Sequence, residues 1–216
     1  MPSTSTAAAE PRGRDADRSQ AAILLAARDE FARHGLAGAR VDRIAERADV
    51  NKRLIYYYFT SKDDLFLAVL EQAYADIREA EKQLHLVDMP PAQAIRRLTE
   101  FTWEYYLAHP EFLTLLNSAN LHQGVHLKKS ERVRDMNSPL IETLGEILER
   151  GRAEGIFRGG IDAVQLYVSI AGMAYFYLSN NHTLSAIFGR GLMTPKAQHE
   201  RISHMCDVIL GYVLRN

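Results

Sequence analysis

Apolar residues recur three and four positions apart along most of this 216-residue chain, which is the spacing of one face of an α-helix. A first predicted helix spans 19–34, with Ala27 and Phe31 on its apolar face. Gly35 ends it, because glycine readily adopts the left-handed conformation of a helix stop. After residue 84 no strand-like alternation of apolar and polar residues appears. The pattern therefore predicts an all-α protein, in which three short helices precede a long helix and a helical bundle.

Two short predicted helices follow the first and are separated by a turn at Asp49 and Val50. Asn51 is a favourable N-cap for the second of them, because its side-chain oxygen can accept a hydrogen bond from a free amide of the first turn. The segment from Ser61 to Asp64 has the pattern of a capping box and begins the long helix. The apolar positions that define these helices are Val41, Ile44, Ala45 and Ala48, then Ile55 and Phe59, then Leu65, Phe66, Val69, Leu70, Tyr74 and Ile77.

The second short helix is both basic and aromatic. Because its apolar anchors face inward, Lys52, Arg53 and Tyr56 point outward, with Tyr57 beside them. Successive helical residues turn by about 100 degrees, so a run of three tyrosines cannot lie wholly in a core. This arrangement is typical of a helix-turn-helix that reads DNA. A plain three-helix packing module, with the tyrosines in its core, is the alternative.

Further along the chain the pattern predicts a polar stretch between Leu121 and Asn137, a loop with a helical turn or more, and a helix that restarts at Ser138 and Pro139. An apolar helix then extends to about Asn180, and a loop through Gly189 and Gly191 leads to the last helix.

Three motifs lie in the first third of the chain: Phe-x-x-x-Gly at 31–35, Val-x-x-Ile-Ala at 41–45, and Tyr-x-x-Phe-x-Ser-Lys-x-x-Leu at 56–65. With the alanine-rich first helix they resemble the TetR family of bacterial one-component regulators. The resemblance implies an N-terminal three-helix helix-turn-helix DNA-binding head and a C-terminal helical bundle for ligand binding and dimerisation. We expect the head at 19–65 and the bundle at 66–216.

The outward positions and the resemblance together give nine candidate DNA contacts. We expect Lys52 and Arg53 to read base edges, and Tyr57, Tyr58 and Lys62 to hold phosphates. The family usually has a small residue, often glycine, where this chain has Arg53, so the operator sequence cannot be transferred from relatives. The candidate contacts are Arg40, Asn51, Lys52, Arg53, Leu54, Tyr56, Tyr57, Tyr58 and Lys62.

Charge is unevenly distributed along the chain. Residues 19–62 carry eight Lys or Arg against five Asp or Glu, whereas residues 63–216 carry 15 against 19, so the net charge of −1 hides a basic head and an acidic body. Such a molecule approaches DNA with one end. The asymmetry is weak evidence by itself, because many soluble domains vary as much.

The compartment is indicated by what the sequence lacks. Residues 1–18 are rich in small and polar residues, so we expect a disordered arm, and they lack the apolar segment of a secretory signal. Cys206 is the only cysteine, which rules out a disulfide framework and suits the cytoplasm. The apolar stretch 163–178 is shorter than a bilayer-spanning helix and contains Gln165 and Ser169, so we expect a buried helix and no membrane association.

That apolar helix and the last predicted helix, which starts at Thr194 and Pro195, have more apolar surface than one subunit can cover. In the TetR family the two equivalent helices pair with their symmetry mates, and the resemblance implies a homodimer here. Ala171 and Gly172 would permit close helix approach. An ordinary core helix is the alternative. A twofold dimer reads a palindrome, with its recognition helices about 34 Å or a multiple apart.

The resemblance also implies a small-molecule effector in the core of the bundle, where aromatic surface and a few polar groups suit a ligand. Asn117 and Asn120 stand out, because buried amides cost free energy without partners; bonding to nearby backbone or water is the alternative. The basic residues of 128–134 could attract an acidic ligand, although a solvated loop is the simpler interpretation. The candidate lining residues are Trp103, Tyr106, Phe112, Leu116, Asn117, Asn120, Met173, Phe176 and Tyr177.

No chemistry beyond binding is indicated. His122 and His126 have the spacing of a helical metal pair, but a glycine separates them and no third ligand is near in the sequence, so we expect no metal site. No nucleophile elbow, phosphate-binding glycine loop or zinc-hydrolase motif is present, so we expect neither catalytic residues nor a cofactor.

The sequence therefore predicts a homodimeric transcriptional repressor on a palindromic operator of double-stranded DNA. A small molecule is expected to pivot the long helix from Ser61 onward and so change the separation of the two heads. A transcriptional activator or a ligand-independent regulator of the same fold is the first alternative. A helical enzyme or adaptor with a vestigial head is the second.

Overall fold

The structure, a computed structural model, describes residues 11–215, with side chains from Ala16 onward. The predicted all-α class is confirmed: over this range the regular structure is helical, apart from one antiparallel bridge between Phe157 and Leu214. Short 3-10 turns lie at Leu86–Asp88 and Leu127–Lys129. The helices are α1 (Pro11–Gly38), α2 (Val41–Arg47), α3 (Lys52–Tyr58), α4 (Lys62–Lys82), α5 (Pro91–Ala108), α6 (Pro110–Leu121), α7 (Glu131–Ala153), α8 (Ala163–Ser179), α9 (Asn181–Phe188) and α10 (Pro195–Val213).

The helix starts follow from local capping. The side-chain oxygen of Asn51 accepts a hydrogen bond of 2.8 Å from the amide of Arg53, which confirms the predicted N-cap of α3. At the start of α4 the amide of Asp64 donates to Oγ of Ser61 over 3.0 Å, and that hydroxyl donates back to the Asp64 carboxylate. Gly35 has φ of 63°, so it interrupts α1 near the predicted stop.

Helix α1 begins at Pro11, so the backbone of 11–18 is helical where the sequence favours a disordered arm; residues 1–10 lie outside the described range. The predicted loop after residue 180 is wrong in part, because a further helix, α9, occupies 181–188 before Gly189 ends it with φ of 62°.

The predicted helix start at Ser138 and Pro139 is also wrong, because α7 begins at Glu131 and continues through the proline. Ser130 caps it by accepting a hydrogen bond from the amide of Val133. A proline has no N–H, so Pro139 removes one helical hydrogen bond, the one to the carbonyl of Asp135. The side chains of Asn137 and Ser138 donate to the carbonyls four residues earlier, over 2.6 and 3.3 Å.

The chain divides into two compact units, and the division falls inside α4 and again inside α6. The first unit comprises residues up to Leu70 together with 115–129. Its core contains Phe31 and Phe66, whose rings meet edge to face with centroids 5.1 Å apart. Segment 115–129 is held there by two polar contacts: the amide of Leu36 donates to Oγ of Ser118 over 3.1 Å, and Nε2 of His126 lies 2.8 Å from a carboxylate oxygen of Asp63.

The second unit comprises residues 71–114 and those from 130 onward. The Phe157 ring is buried in its core beside Gly151 of α7, so close that a Cβ on that glycine would lie 2.1 Å from the ring. The chain after α10 pairs with 156–158, where the amide of Arg158 donates to the carbonyl of Val213 over 3.0 Å. The largest core cluster is Leu86, Ala94, Ile95, Leu98, Leu140, Leu144, Ile147, Leu148, Phe157, Leu166, Ile170, Ile209, Leu210 and Val213.

Candidate functional site

Helix α3 presents a basic and aromatic surface. Ile55 is buried, whereas Arg53 and Tyr56 are exposed and the Tyr57 side chain is 80% exposed. A tyrosine that stabilises a fold usually does so by burying its ring, so a ring that is 80% exposed is unusual for a structural role. The outward set that the sequence predicts is therefore displayed in the structure, on one short helix whose start is fixed by its cap.

Lys52 does not point freely into solvent. Its ammonium nitrogen lies 2.6 Å from Oδ1 of Asp42 on α2. The hydrogen bond between them lowers the pKa of Asp42 and raises the pKa of Lys52, so both groups stay charged near neutral pH. Arg40, also exposed, adds a second positive charge near this carboxylate. One acidic side chain thus sits among the cations that the sequence assigns to DNA.

Two predicted phosphate contacts are engaged inside the first unit. The Lys62 ammonium donates a hydrogen bond of 3.2 Å to the carbonyl of Ala39, between α1 and α2. The Tyr58 hydroxyl donates to the carbonyl of Ala16 over 3.2 Å. Both side chains are only partly exposed, so in the free protein they position the helices of the head. Leu54 is also only partly exposed.

Glu30 is a residue that the sequence reasoning missed. It is 1% exposed and accepts a hydrogen bond of 3.1 Å from the backbone amide of Arg40, just before α2 begins. The Arg43 guanidinium lies 3.4 Å from the same carboxylate and His34 lies 3.7 Å from its other oxygen. A carboxylate on the apolar stripe of a helix is the signal that could have indicated this buried anchor.

The predicted effector residues are distributed over both units. Leu116, Asn117 and Asn120 belong to the first unit, and both asparagines are exposed. The Asn120 amide donates to the carbonyl of Leu116 over 3.0 Å, which matches the alternative interpretation of a backbone contact. The remaining six residues, all in the second unit, are Trp103, Tyr106, Phe112, Met173, Phe176 and Tyr177.

Four of those six form two aromatic pairs, and Met173 and Phe176 line a groove on α8 and α10. Tyr106 and Phe112 are buried with ring centroids 5.6 Å apart, and Trp103 is buried with its ring 5.6 Å from that of Tyr177. Phe176 is 58% exposed on the outer face of α8, which suits protein contact better than a ligand core.

A charged cluster with a cavity beside it lies elsewhere in the second unit. Arg78 and Glu81, one turn apart on α4, are each 5% exposed, and Nη1 of the guanidinium lies 2.9 Å from the carboxylate. A second nitrogen of Arg78 donates to the hydroxyl of Tyr167 over 2.8 Å. Burial raises the pKa of Glu81 to about 7, although the arginine opposes the shift. Sequence reasoning missed this pair, although Glu81 continues the apolar stripe of α4.

The cavity has a volume of about 210 Å³ and opens between the end of α4, the 3-10 turn at Leu86–Asp88 and α7. Arg150 of α7 fixes that turn by donating to the carbonyl of Met89 over 2.6 Å. The residues that line the cavity are Arg78, Glu81, Lys82, His85, Leu86, Val87, Met136, Pro139, Leu140 and Thr143.

Helices α8 and α10 expose an apolar face, here called the α8–α10 face and defined by Val168, Gly172, Phe176, Val208 and Tyr212. Its members line a groove of about 580 Å³. Exposed apolar surface of this kind marks a contact with another protein surface more often than it marks a monomer's exterior.

Two other features of the described residues concern function. The His122 and His126 rings are 6.1 Å apart, and among the side chains described, those of residues 16–215, no three metal-binding groups come together. In the same range no helix combines the length and apolar character needed to cross a bilayer.

Comparison with known proteins gives matches to both parts of the chain. Residues 23–69 match the family profile described as bacterial regulatory proteins, tetR family. Residues 91–209 match the profile described as tetracyclin repressor-like, C-terminal domain. The second profile alone covers more than half of the chain.

Individual relatives and structures agree with these profiles. The chain is 42% identical over 199 residues to the HTH-type transcriptional repressor NicS of Pseudomonas putida, covering 92% of this chain and 94% of that protein. It is 34% identical over 161 residues to the HTH-type transcriptional repressor SCO4008 of Streptomyces coelicolor, covering 74% and 79%. A crystal structure of a TetR transcriptional regulator from Chloroflexus aurantiacus has the same fold, with a TM-score of 0.69 at 21% identity over 94% of this chain and all of that one.

Proposed function

Because this chain belongs to the TetR family of bacterial transcriptional regulators, we propose that it represses transcription as a homodimer on a palindromic operator and is released by a small molecule. Family membership makes it a DNA-binding transcriptional regulator and not an enzyme. The operator, the effector and the direction of regulation are the parts that we propose.

The exposed surface of α3 is the observation that carries the proposal. Arg53 is solvent-exposed on a helix that has its apolar side buried, and its forked guanidinium suits bidentate contact with guanine in a major groove. Tyr57, beside it, can donate its hydroxyl to a phosphate. We assign base reading to Arg53 and, after separation from Asp42, to Lys52.

The remaining candidates support this surface. Arg40 and Tyr56 are exposed, and we assign them to the DNA backbone, whereas Asn51 fixes the start of α3. For Tyr58 and Lys62 we propose positioning of the head, because their polar atoms already bond backbone carbonyls. Leu54 would add apolar contact at the edge of the helix, where a thymine methyl group is a suitable partner.

A homodimer through the α8–α10 face accounts for the apolar surface there. Val168 is 55% exposed and Phe176 is 58% exposed. Exposing apolar side chains to water costs free energy, and pairing with a symmetry mate would bury them. Gly172 lies between them on the helix and has open space above it, so a partner helix can approach closely. Two heads related by a twofold axis then read two half-sites about one or two helical turns apart.

Release by an effector requires that the bundle influence the head. Helix α4 runs unbroken from Lys62, in the first unit, to Lys82, in the second, so a shift of its second half carries its first half along. Coupling between two sites is typically worth about 1–3 kcal/mol, which lowers DNA affinity by about 5 to 150-fold. This is the pivot that the sequence predicts from Ser61 onward.

Fluorescence anisotropy tests the proposal. Purified protein is titrated into labelled duplex from the intergenic DNA beside its own gene, with a scrambled duplex as control, at near-physiological salt. Tight binding to the native duplex alone is the expected result. Equally weak binding to both would overturn it and leave only phosphate attraction. Transcript levels of the neighbouring genes in a deletion strain distinguish repression, where they rise, from activation, where they fall.

A further inference from the structure

The cavity beside Arg78 and Glu81 has the chemistry of an anion site. Among the described residues Nε and Nη1 of Arg78 have no hydrogen-bond partner, although Nη1 lies 2.9 Å from Glu81, because those two groups are not aligned as a hydrogen bond. A guanidinium carries five N–H donors in a fixed plane, and leaving buried donors without acceptors costs free energy. Arg78 is thus a buried cation with donors to spare, in the wall of a cavity.

Charge around the cavity favours a negative ligand. The Glu81 carboxylate is buried, and its raised pKa of about 7 means that a substantial fraction is neutral near physiological pH. A neutral Glu81 leaves the charge of Arg78 uncompensated. Lys82 also lines the cavity and is exposed, so an ammonium group lies at the opening, 3.5 Å from a carboxylate oxygen of Glu79.

The other walls define the rest of the ligand. Leu86, Met136, Pro139 and Leu140 line the cavity and offer apolar surface. Its volume of about 210 Å³ is below the usual range of about 300–1,000 Å³ for drug-sized ligands, so the occupant is small. Glu81, when ionised, would repel a second negative charge on the ligand, which favours a monocarboxylate over a phosphate.

We propose that this cavity binds a small monocarboxylate with an apolar body, and that Arg78 recognises its carboxylate through two parallel hydrogen bonds. The fork that pairs with a carboxylate consists of Nη2 and either Nε or Nη1. The acid would therefore satisfy one of the two nitrogens that lack a partner, together with the remaining N–H of Nη2. The proposal rests on the proposed function in one respect, since it makes this carboxylate the effector. Arg78 lies on α4, the helix that we assign to coupling, so a ligand bound to it acts directly on that helix.

The experiment is isothermal titration calorimetry of the full-length protein with acetate, hexanoate and benzoate, each beside its uncharged amide. We expect at least one acid to bind and its amide not to bind. Arg78→Gln should lower the affinity for that acid about tenfold or more, because a charge-assisted pair is lost. Glu81→Gln keeps the shape of the side chain but removes the carboxylate that competes for Arg78. This variant should therefore bind the acid several-fold more tightly.

Three outcomes overturn the site: none of the acids binds, acid and amide bind alike, or Arg78→Gln folds and binds the acid unchanged. If Arg78→Gln does not fold, as its circular dichroism would show, the Glu81→Gln titration decides, and unchanged or weaker binding then refutes the proposal. Operator anisotropy without ligand separates the two claims. Specific DNA binding with no acid binding rejects only the anion site, whereas acid binding that leaves a specific protein–DNA complex intact rejects only its role as effector.

Discussion

Lys52 and Asp42 form an ion pair of 2.6 Å on the surface that we assign to DNA. Both side chains are largely exposed, so solvent screens the pair and its contribution to folding is small. Its effect on DNA binding is larger, since the carboxylate repels phosphates and occupies the ammonium to which we assign base reading. The pair therefore sets a cost that DNA binding must overcome.

Asp42→Asn should strengthen binding to both operator and scrambled DNA, and to the operator more, because Lys52 is then free to reach base edges. Removing one negative charge frees one cation, so the slope of log affinity against log salt should steepen by up to about 0.9. Anisotropy titrations at several salt concentrations measure it. Repeating them in a Lys52→Ala background provides the control, because there the substitution should have a clearly smaller effect. An equal effect in both backgrounds would show that Lys52 is not the group released.

Arg53→Ala should reduce the preference for operator over scrambled DNA. A bidentate base contact is worth about 1–3 kcal/mol of discrimination, and alanine removes it. Tyr57→Phe is the matched variant, because it deletes only a hydroxyl from an exposed ring and should weaken both duplexes equally, by roughly 0.5–1.5 kcal/mol. An unchanged ratio of the two affinities in Arg53→Ala would remove this residue from base reading.

Val168→Asp should convert the dimer into a monomer and lower operator affinity by about 100-fold or more, since the two half-sites are then bound separately. A charge in an apolar interface has no partner, and its desolvation opposes association. Sedimentation velocity gives the mass and anisotropy the affinity. Val125→Asp, at a valine of similar exposure in the first unit, should change neither; a dimeric Val168→Asp protein would place the interface elsewhere.

Glu81 should make stability depend on pH. Its folded-state pKa of about 7 lies above the ordinary 4.5, so the folded state holds the proton more tightly. The resulting stability is fully present below about pH 4.5 and is lost as pH rises through 7. At about 1.4 kcal/mol per unit, the loss is at most roughly 3.5 kcal/mol.

Denaturant unfolding of wild type and Glu81→Gln across this range measures the effect. As pH rises, the free energy of unfolding of wild type should fall relative to that of Glu81→Gln. Glu79→Gln, at an exposed carboxylate on the same helix, serves as control and should follow wild type. Parallel profiles for wild type and Glu81→Gln would contradict the raised pKa.

Gly151→Ala should destabilise the second unit by about 1–3 kcal/mol, because its Cβ would enter the space of the Phe157 ring. That loss exceeds the gain in helix propensity, which is about 1 kcal/mol. Gly145 lies on the same helix with no atom within 4 Å of the added carbon, so Gly145→Ala should instead stabilise. Thermal unfolding distinguishes the two, and equal shifts would show that the ring can move aside.

Helix faces and helix starts could be predicted from the sequence, because each depends on residues close together in the chain. Helical spacing placed Ile55 inside and Arg53 outside, and the side chains of Asn51 and Ser61 fixed where α3 and α4 begin. These features depend on residues three or four positions apart, which a pattern can reveal. The all-α class and the exposed recognition surface follow from them.

Contacts between distant parts of the chain could not be predicted from the sequence and are known from the tertiary structure. Lys62 meets a carbonyl 23 positions earlier, and Arg78 meets Tyr167 89 positions later. Periodicity shows which face of a helix is buried, but not which polar group packs against it, because that depends on how several helices cross. For the same reason the sequence could not show that Asn117 and Asn120, two of its nine candidate effector residues, are exposed, or that a charged pair is buried on the apolar stripe of α4.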